Sequence, residues 1–401
     1  MGGSHVVDWL FLLFNWFLAI GWLGRGFAAL RGMATLPDLT RIDPNTLPPL
    51  PSVEGPHLTV LVPACNEQDS IQATLRSLLA STGLRLEIIA IDDRSTDRTG
   101  ARMDEIAAEF AAGSHTLRVL HLTELPAGWL GKPHALARGV EVATASWLLF
   151  TDGDVSFAPR ALELSLRLAL AQQADHFVLA LTLVRKTLGE AAMQATAQAL
   201  GQWSLRLWKV ADPHARDFCG TGGFNMIRAD FFHRLGGFEA LRMEVVEDLT
   251  LGWMVKHAAG RSLVALGPGL VNIRWIQGIF GIVANMEKNG LAIFRFRAGL
   301  AVAASFGLLL QAILPLVAIA SGGWLAVAGL LAYAGIAVMI FANRRLSGVS
   351  PWVAVLFAPT VAILSFGVMR SVVLTLWRGG VNWRGTLYPL ADLRRQAVRW
   401  R

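Results

Sequence analysis

The strongest constraint in this sequence is the placement of long apolar runs at both ends and their absence from the middle. Trp9 to Leu30 holds no acid, and its only charge is Arg25. Such a run is long enough to cross a bilayer as one helix. Gly299 to Ala320 and Trp324 to Ala342 are equally apolar and are joined by Ser321-Gly322-Gly323, the pattern of a transmembrane hairpin. Trp352 to Trp377 is a further apolar stretch, interrupted by Pro359 and carrying Arg370. Hydrophobic residues make up 54% of the chain and charged residues 16%, a balance outside the range of ordinary soluble domains.

Charge orients these segments. Arg25, Arg31 and Arg41 follow the first run, which places the next domain in the cytoplasm by the positive-inside rule. A cleaved signal peptide would need a basic start, whereas the chain opens Met1-Gly2-Gly3-Ser4-His5. Arg295 and Arg297 precede the hairpin and Arg344-Arg345 follow it, so both of its ends face the cytoplasm. One more full crossing would put Arg378, Arg384, Arg394 and Arg395 outside, against the same rule. Either the last segment is re-entrant or interfacial, with a cytoplasmic tail, or the tail is an exception to the rule, and the sequence does not choose between them. After Glu287 the chain is almost purely basic. Basic residues beside apolar segments fit anionic lipid, not nucleic acid, and no zinc spacing is present. Cys65 and Cys219 form no disulfide framework and suit a reducing compartment. The expected setting is a bacterial-type inner membrane.

The chain divides into an N-terminal transmembrane helix (1–31), a proline-rich linker (32–57), a catalytic domain (58–270), an interfacial segment (271–298), C-terminal transmembrane segments (299–378) and a basic tail (379–401). Within the catalytic domain, Leu58 to Val62, Leu86 to Ile91, Leu117 to Leu122 and Trp147 to Thr151 read as strands. Ser70 to Ala80, with Ser70 as its N-cap, and Asp97 to Ala112 read as helices. Alternating strands and helices predict an α/β fold with a mostly parallel sheet and ligands at the carboxyl ends of its strands.

Polar motifs sit at those ends. Val62-Pro63-Ala64-Cys65-Asn66-Glu67 offers Asn66 and Glu67 to a ligand, or caps a helix. Ile91-Asp92-Asp93 offers carboxylates to a base or a ribose, while Ser95 and Asp97 can cap the next helix. Thr151-Asp152-Gly153-Asp154 ends an apolar strand, where acids are costly unless they bind a cation or donors. Oxygen ligands of this kind suit Mg²⁺ or Mn²⁺, although an Asp-Gly turn has the same spelling. Lys132, in Gly128-Trp-Leu-Gly-Lys-Pro-His, stands where a lysine reaches phosphate; His134 beside it has no assigned role. Phe218-Cys-Gly-Thr-Gly-Gly-Phe-Asn225 lets backbone approach a ligand through Gly222 and Gly223, with Asn225 near hydroxyls. Glu247-Asp248 opens a helix, where an acid caps or serves as general base. No G-x-G-x-x-G follows the first strand, which disfavours a dinucleotide-binding fold.

In this order, V-P-A-x-N-E, I-D-D-x-S-T-D, G-K-x-x-A-L, D-G-D, G-T-G-G, L-G-G-F and E-D-L resemble family 2 glycosyltransferases over about half the chain. The resemblance implies a GT-A fold that binds a nucleotide-diphosphate sugar, most simply a UDP-sugar, and inverting transfer by single displacement. Carried over, Pro63, Asn66, Glu67, Asp92, Asp93, Lys132 and Asp152 face the donor. Asp152 and Asp154 hold the metal, and Asp248, with Glu247 beside it, is the base. Gly222, Gly223, Asn225, Arg274 and Trp275 lie toward the acceptor. Arg274-Trp275 through Asn289, and Val381-Asn-Trp-Arg-Gly-Thr-Leu-Tyr-Pro389, look most like hopene-associated glycosyltransferases, which implies a lipid, polyprenoid or hopanoid-type acceptor. Q-x-x-R-W is incomplete, because Val271 stands three before Arg274. That disfavours a processive polysaccharide synthase. A silent membrane scaffold of the same fold is disfavoured because every expected carboxylate is present.

Overall fold

The computed structural model describes residues 2–398. Met1 and the last basic residues Arg399 and Arg401, expected in the first helix and the tail, lie outside the described residues. Two compact units are each assembled from interleaved segments. The first comprises Met1–Thr35, Arg185–Arg206 and Trp275–Asn382, and the second Leu36–Val184, Leu207–Arg274 and Trp383–Arg401.

Among the described residues, ten strands make the two larger sheets of the second unit: β1 (Leu58–Ala64), β2 (Leu86–Asp93), β3 (Thr116–Leu122), β4 (Trp147–Phe150), β5 (Val155–Phe157), β6 (His176–Leu179), β7 (Thr182–Leu183), β8 (Asn225–Arg228), β9 (Ser262–Ala265) and β10 (Val271–Ile273). Seven form one sheet in the order β3-β2-β1-β4-β8-β6-β9. The pairs β1–β2, β2–β3, β1–β4 and β6–β9 are parallel, and β8 runs antiparallel to β4 and β6. This is the mostly parallel α/β sheet that the alternation predicted. Every residue of β1 is buried, as its unbroken apolar run requires of a central strand covered on both faces. At the edge, β3 has no fully buried residue and mixes exposed with partly buried ones. β5, β10 and β7 form a second, small sheet.

Predicted helices appear at Ile71–Leu79 and Thr99–Glu109. Ser70 is not the cap expected: its backbone is already helical, at φ −115° and ψ −33°, and its side chain makes no capping hydrogen bond. An N-cap needs extended backbone to aim its oxygen at the following amides. The proline-rich stretch is docked on the second unit rather than hanging between elements. Leu39 N donates to Leu266 O at 2.9 Å. Arg167 donates to the carbonyls of Pro44 (2.7 Å), Leu47 (2.6 Å) and Pro48 (2.9 Å).

The first unit is helical. Four segments are long and apolar enough to cross a membrane: Asp8–Met33, Ala298–Ser321, Gly323–Ala342 and Pro351–Arg378. They coincide with the apolar runs read from the sequence. Glycines let two of them approach closely. A Cβ at Gly26 would lie 2.7 Å from Gly335 O, and one at Gly335 would lie 2.5 Å from Leu23 N, so small residues form this contact. Arg370, conspicuous in an apolar helix, pairs with Glu287 at 2.6 Å, and Arg378 joins the same carboxylate at 2.8 Å. Glu287 lies on the helix Gly281–Ala292, inside the segment expected to be interfacial.

Candidate active site

The strand order places a crevice where β1 has β2 on one side and β4 on the other, the switch point at which open α/β sheets bind ligands. The β1–β2 ladder continues to Ala64 opposite Asp92. The β1–β4 ladder stops at Leu61 opposite Phe150. Beyond it stands Pro63, which has no N–H to extend the pairing. The polar residues that follow each strand therefore gather at one edge. Antiparallel β8 contributes from the other direction, since its first residue, Asn225, pairs with Phe150 at the end of β4.

One cavity here is lined by Pro63, Ala64, Cys65, Glu67, Asp93, Arg94, Gly131, Lys132, Asp152, Trp383, Arg384 and Tyr388. A second is lined by Lys132, Gly222, Asn225, Glu247, Asp248 and apolar side chains including Phe150 and Leu251. Lys132 belongs to both. It is the second residue of the helix Gly131–Val140, and its Nζ stands 2.6 Å from Asp152 Oδ1 and 2.6 Å from Glu247 Oε1. Burial alone would pull this ammonium down, but Asp152, Glu247 and Asp248 hold it well above the usual lysine value.

Asp248 lies in the first turn of the helix Glu247–His257. Desolvation, then the charge of Glu247, push its carboxyl up to about 6, with Lys132 opposing. Its Oδ1 accepts from Leu249 N at 2.7 Å. The glycine-rich loop fits tightly beside it. A Cβ at Gly220 would lie 1.9 Å from Asp248 O, and one at Gly222 would lie 2.6 Å from Asp152 Oδ2. Asn225 Nδ2 donates to Asp248 O at 3.2 Å, and Asn225 Oδ1 accepts from Nε2 of buried His176 at 2.5 Å. The other ring nitrogen, Nδ1, meets Ser262 Oγ at 2.8 Å. Burial pushes His176 down to about 4, so the ring is neutral and bonds through both nitrogens.

The chemistry of the acids fits a divalent cation. Glu67, Asp93, Asp152, Asp154, Glu247 and Asp248 outnumber the cations Arg94, Lys132 and Arg384 around them. Desolvation, and then the charges of Asp152 and Glu67, push Asp154 up to about 6, although its outer face meets solvent. Glu67 Oε2 is buried with no hydrogen-bond partner among the described residues. A Cβ at Gly153 would lie 2.2 Å from it, so a side chain between the two aspartates would push the Glu67 carboxylate aside. No trio of His, Cys, Asp or Glu side chains among the described residues is arranged to hold a metal by itself. Two carboxylates plus phosphate and water oxygens make a complete oxygen shell for Mg²⁺ or Mn²⁺.

Of the residues singled out in the sequence, Pro63, Glu67, Asp93, Lys132 and Asp152 line the first cavity, and Gly222, Asn225, Glu247 and Asp248 the second. Others lie beside the cavities without lining them. Asp92 accepts from Ser95 N (3.2 Å) and meets His121 Nδ1 (3.2 Å). Asn66 accepts from Thr96 N at 2.8 Å. Both therefore fasten loops. Gly223 packs against Leu181. Asp154 and Arg274 line neither cavity. Trp275 belongs to the helical unit, where its carbonyl accepts from Asn285 Nδ2 at 2.8 Å. Trp383, Arg384 and Tyr388, all within the run Val381–Pro389, and His176 join the site although no motif in the sequence assigns them to it. Arg384-Gly385 has the spelling of a tight turn, and His176 is a lone polar opening to the apolar run His176-Phe-Val-Leu179.

Residues 59–249 match the family described as glycosyl transferase family 2. The chain is 34% identical over 118 residues to the uncharacterized glycosyltransferase YibD of Escherichia coli, covering 29% of this chain and 32% of that one. It is 35% identical over 100 residues to the 4,4'-diaponeurosporenoate glycosyltransferase of Staphylococcus haemolyticus, covering 24% of each. The chain thus spans about a third or less of the length of these curated relatives. Among solved structures, the mannosyltransferase PcManGT of Pyrobaculum calidifontis, in complex with GDP-Man and Mn²⁺, aligns at TM-score 0.46 and 17% identity over 91% of this chain and 99% of that one. The sheet is that of a GT-A-type α/β fold, and the match to glycosyl transferase family 2 over residues 59–249 takes in β1 to β8 and the acids that line both cavities.

Proposed function

We propose that this protein is a membrane-anchored, inverting glycosyltransferase that moves a sugar from a nucleotide diphosphate, most simply a UDP-sugar, to a lipid or polyprenoid hydroxyl, a hopanoid-type alcohol included. One observation carries the reading: Lys132 joins the cavity of Glu67, Asp93 and Asp152 to the cavity of Asp248 and Asn225. A diphosphate in the first cavity and an acceptor in the second would meet at that ammonium. Asp93 would bind the nucleoside and Lys132 the diphosphate. Asp248 would take the proton of the acceptor hydroxyl as its oxygen bonds to the anomeric carbon. The bond from that carbon to phosphate breaks with its electron pair, so the diphosphate leaves and the configuration inverts. A carboxyl pushed up to about 6 is a base matched to neutral pH. Mg²⁺ or Mn²⁺, held by Asp152 and Asp154, would neutralise charge on the diphosphate.

The four apolar helices supply the anchor, in a bacterial-type inner membrane with the catalytic unit cytoplasmic. An anchored enzyme meets a lipid acceptor where that acceptor lives. The test is transfer by the purified full chain in lipid, with UDP- and GDP-hexoses, Mn²⁺ and a membrane-lipid extract. Mass spectrometry should find lipids heavier by a single hexose, and chelation should abolish the gain. A polymer product would point instead to a processive synthase. Absence of both nucleotide-diphosphate binding and product would overturn the reading.

A further inference from the structure

From Trp383 on, the chain belongs to the unit that carries the catalytic sheet. It turns at Trp383–Thr386, where Arg384 has φ 50° and Gly385 φ 81°. Left-handed backbone costs a non-glycine residue about 1 kcal/mol or more, so the surroundings hold Arg384 in place. Its guanidinium donates to the Glu67 carboxylate and to the Cys65 carbonyl. The strand Thr386–Pro389 then brings the Tyr388 hydroxyl to Gly131 N, which donates to it at 3.2 Å. Gly131 immediately precedes Lys132. The helix Leu390–Gln396 buries Leu390 and Leu393, and Gln396 accepts from Arg242 Nε at 2.9 Å. The segment is thus fastened at Glu67, at Gly131 and at Arg242, and three of its residues line the donor cavity.

The cations of that cavity differ in their commitments. Arg94 is forked onto Asp93, at 2.8 and 3.1 Å, and Lys132 is shared by two acids. Arg384 reaches Glu67, lines the cavity and has a side chain that remains 39% exposed, so a ligand in the cavity can meet it. A guanidinium in that position matches the geometry of phosphate oxygens. We propose that Arg384 is a diphosphate-binding residue of the donor site, delivered by the C-terminal segment, with Trp383 and Tyr388 as the adjoining wall. Glu67 holds the guanidinium in place until the anionic donor arrives and shares it.

This inference rests on the nucleotide-sugar reading, and its test separates the two. The full chain in detergent is titrated with UDP, GDP, uridine and guanosine in the presence of Mn²⁺. Arg384→Gln should weaken whichever diphosphate binds by about 10- to 100-fold and leave the matching nucleoside unchanged. Equal diphosphate affinity in variant and wild type overturns the role of Arg384 alone. If neither diphosphate binds the wild type, the donor reading falls and this inference with it. Should Arg384→Gln misfold, hydrogen exchange across Trp383–Pro389 in the wild type decides. Slowing by the diphosphate but not the nucleoside supports the contact, and exchange unchanged by the diphosphate overturns it.

Discussion

Lys132 Nζ stands 2.6 Å from Glu247 Oε1 and the same distance from Asp152 Oδ1, so one ammonium ties the start of one helix to the start of another and to the end of β4. Removing it leaves two poorly solvated carboxylates facing each other. Losing one partner of a buried pair costs about 3–5 kcal/mol, and solvent at Asp152 brings the expected loss toward the lower figure. Lys132→Met should lower the thermal midpoint, lower kcat/KM at least 100-fold and weaken nucleotide-diphosphate binding. Thermal melts and titration of the same preparation check this. A variant with wild-type affinity would remove Lys132 from the donor site.

Asp248 has a separate, kinetic signature. A base must be deprotonated to act, and this carboxyl is pushed up to about 6. The logarithm of kcat/KM should therefore rise with pH at unit slope below about 6 and flatten above it. Asp248→Asn should reduce turnover by about 100- to 10,000-fold while donor binding stays near wild type. A stopped assay across pH 5–8, paired with titration of the variant, measures both. An unchanged turnover would show that another group accepts the proton.

Much of this site is legible in the sequence because its groups follow strands. Apolar runs such as Leu58–Val62 and Trp147–Phe150 announce themselves, and a parallel sheet then brings Glu67, Asp93 and Asp152 to one edge whatever the loops do. The division of labour inside each motif is not legible. Asp92 and Asp93 are neighbours of the same type, yet alternation in the strand sends one to His121 and the other to the cavity. Asn66 and Asn225 share a chemistry, yet the first is fastened to Thr96 in a loop and the second, on β8, meets His176 of the neighbouring strand β6. Arg384 stands 317 residues from Glu67 along the chain, and no local periodicity encodes a contact at that separation.

His176 is a stability device with its own pH dependence. The unfolded histidine titrates near 6.5 and the folded one near 4. Between those values the unfolded chain binds a proton that the folded chain refuses, so stability falls as pH drops from about 6.5 toward 4 and is fully present above 6.5. The drop is on the order of 3 kcal/mol. His176→Phe should remove much of that slope and also leave Asn225 Oδ1 without its donor, loosening the support of Asp248. Denaturant midpoints at pH 5 and pH 7 compare the slopes. A wild-type pH dependence in the variant would assign the effect to other groups.

The C-terminal segment also constrains membrane topology. Three candidate spans, Ala298–Ser321, Gly323–Ala342 and Pro351–Arg378, separate Arg274 from Trp383. If all three crossed completely, the tail and the catalytic sheet would face opposite compartments. Yet Arg384 binds Glu67, and Tyr388 accepts from Gly131, so the number of complete crossings between them is even. The proposed topology has the hairpin joined at Gly322 cross and return. On that reading the helix Phe357–Arg378, with Arg370 and Arg378 paired to Glu287, should not cross completely, its paired arginines staying at the polar boundary. Single cysteines at exposed Leu387 and Ser114 should react with a membrane-impermeant maleimide from the same side, in inverted vesicles and not in intact cells. Labelling of Leu387→Cys from the opposite side to Ser114→Cys would break the parity and, with it, the contact of the tail with the catalytic sheet.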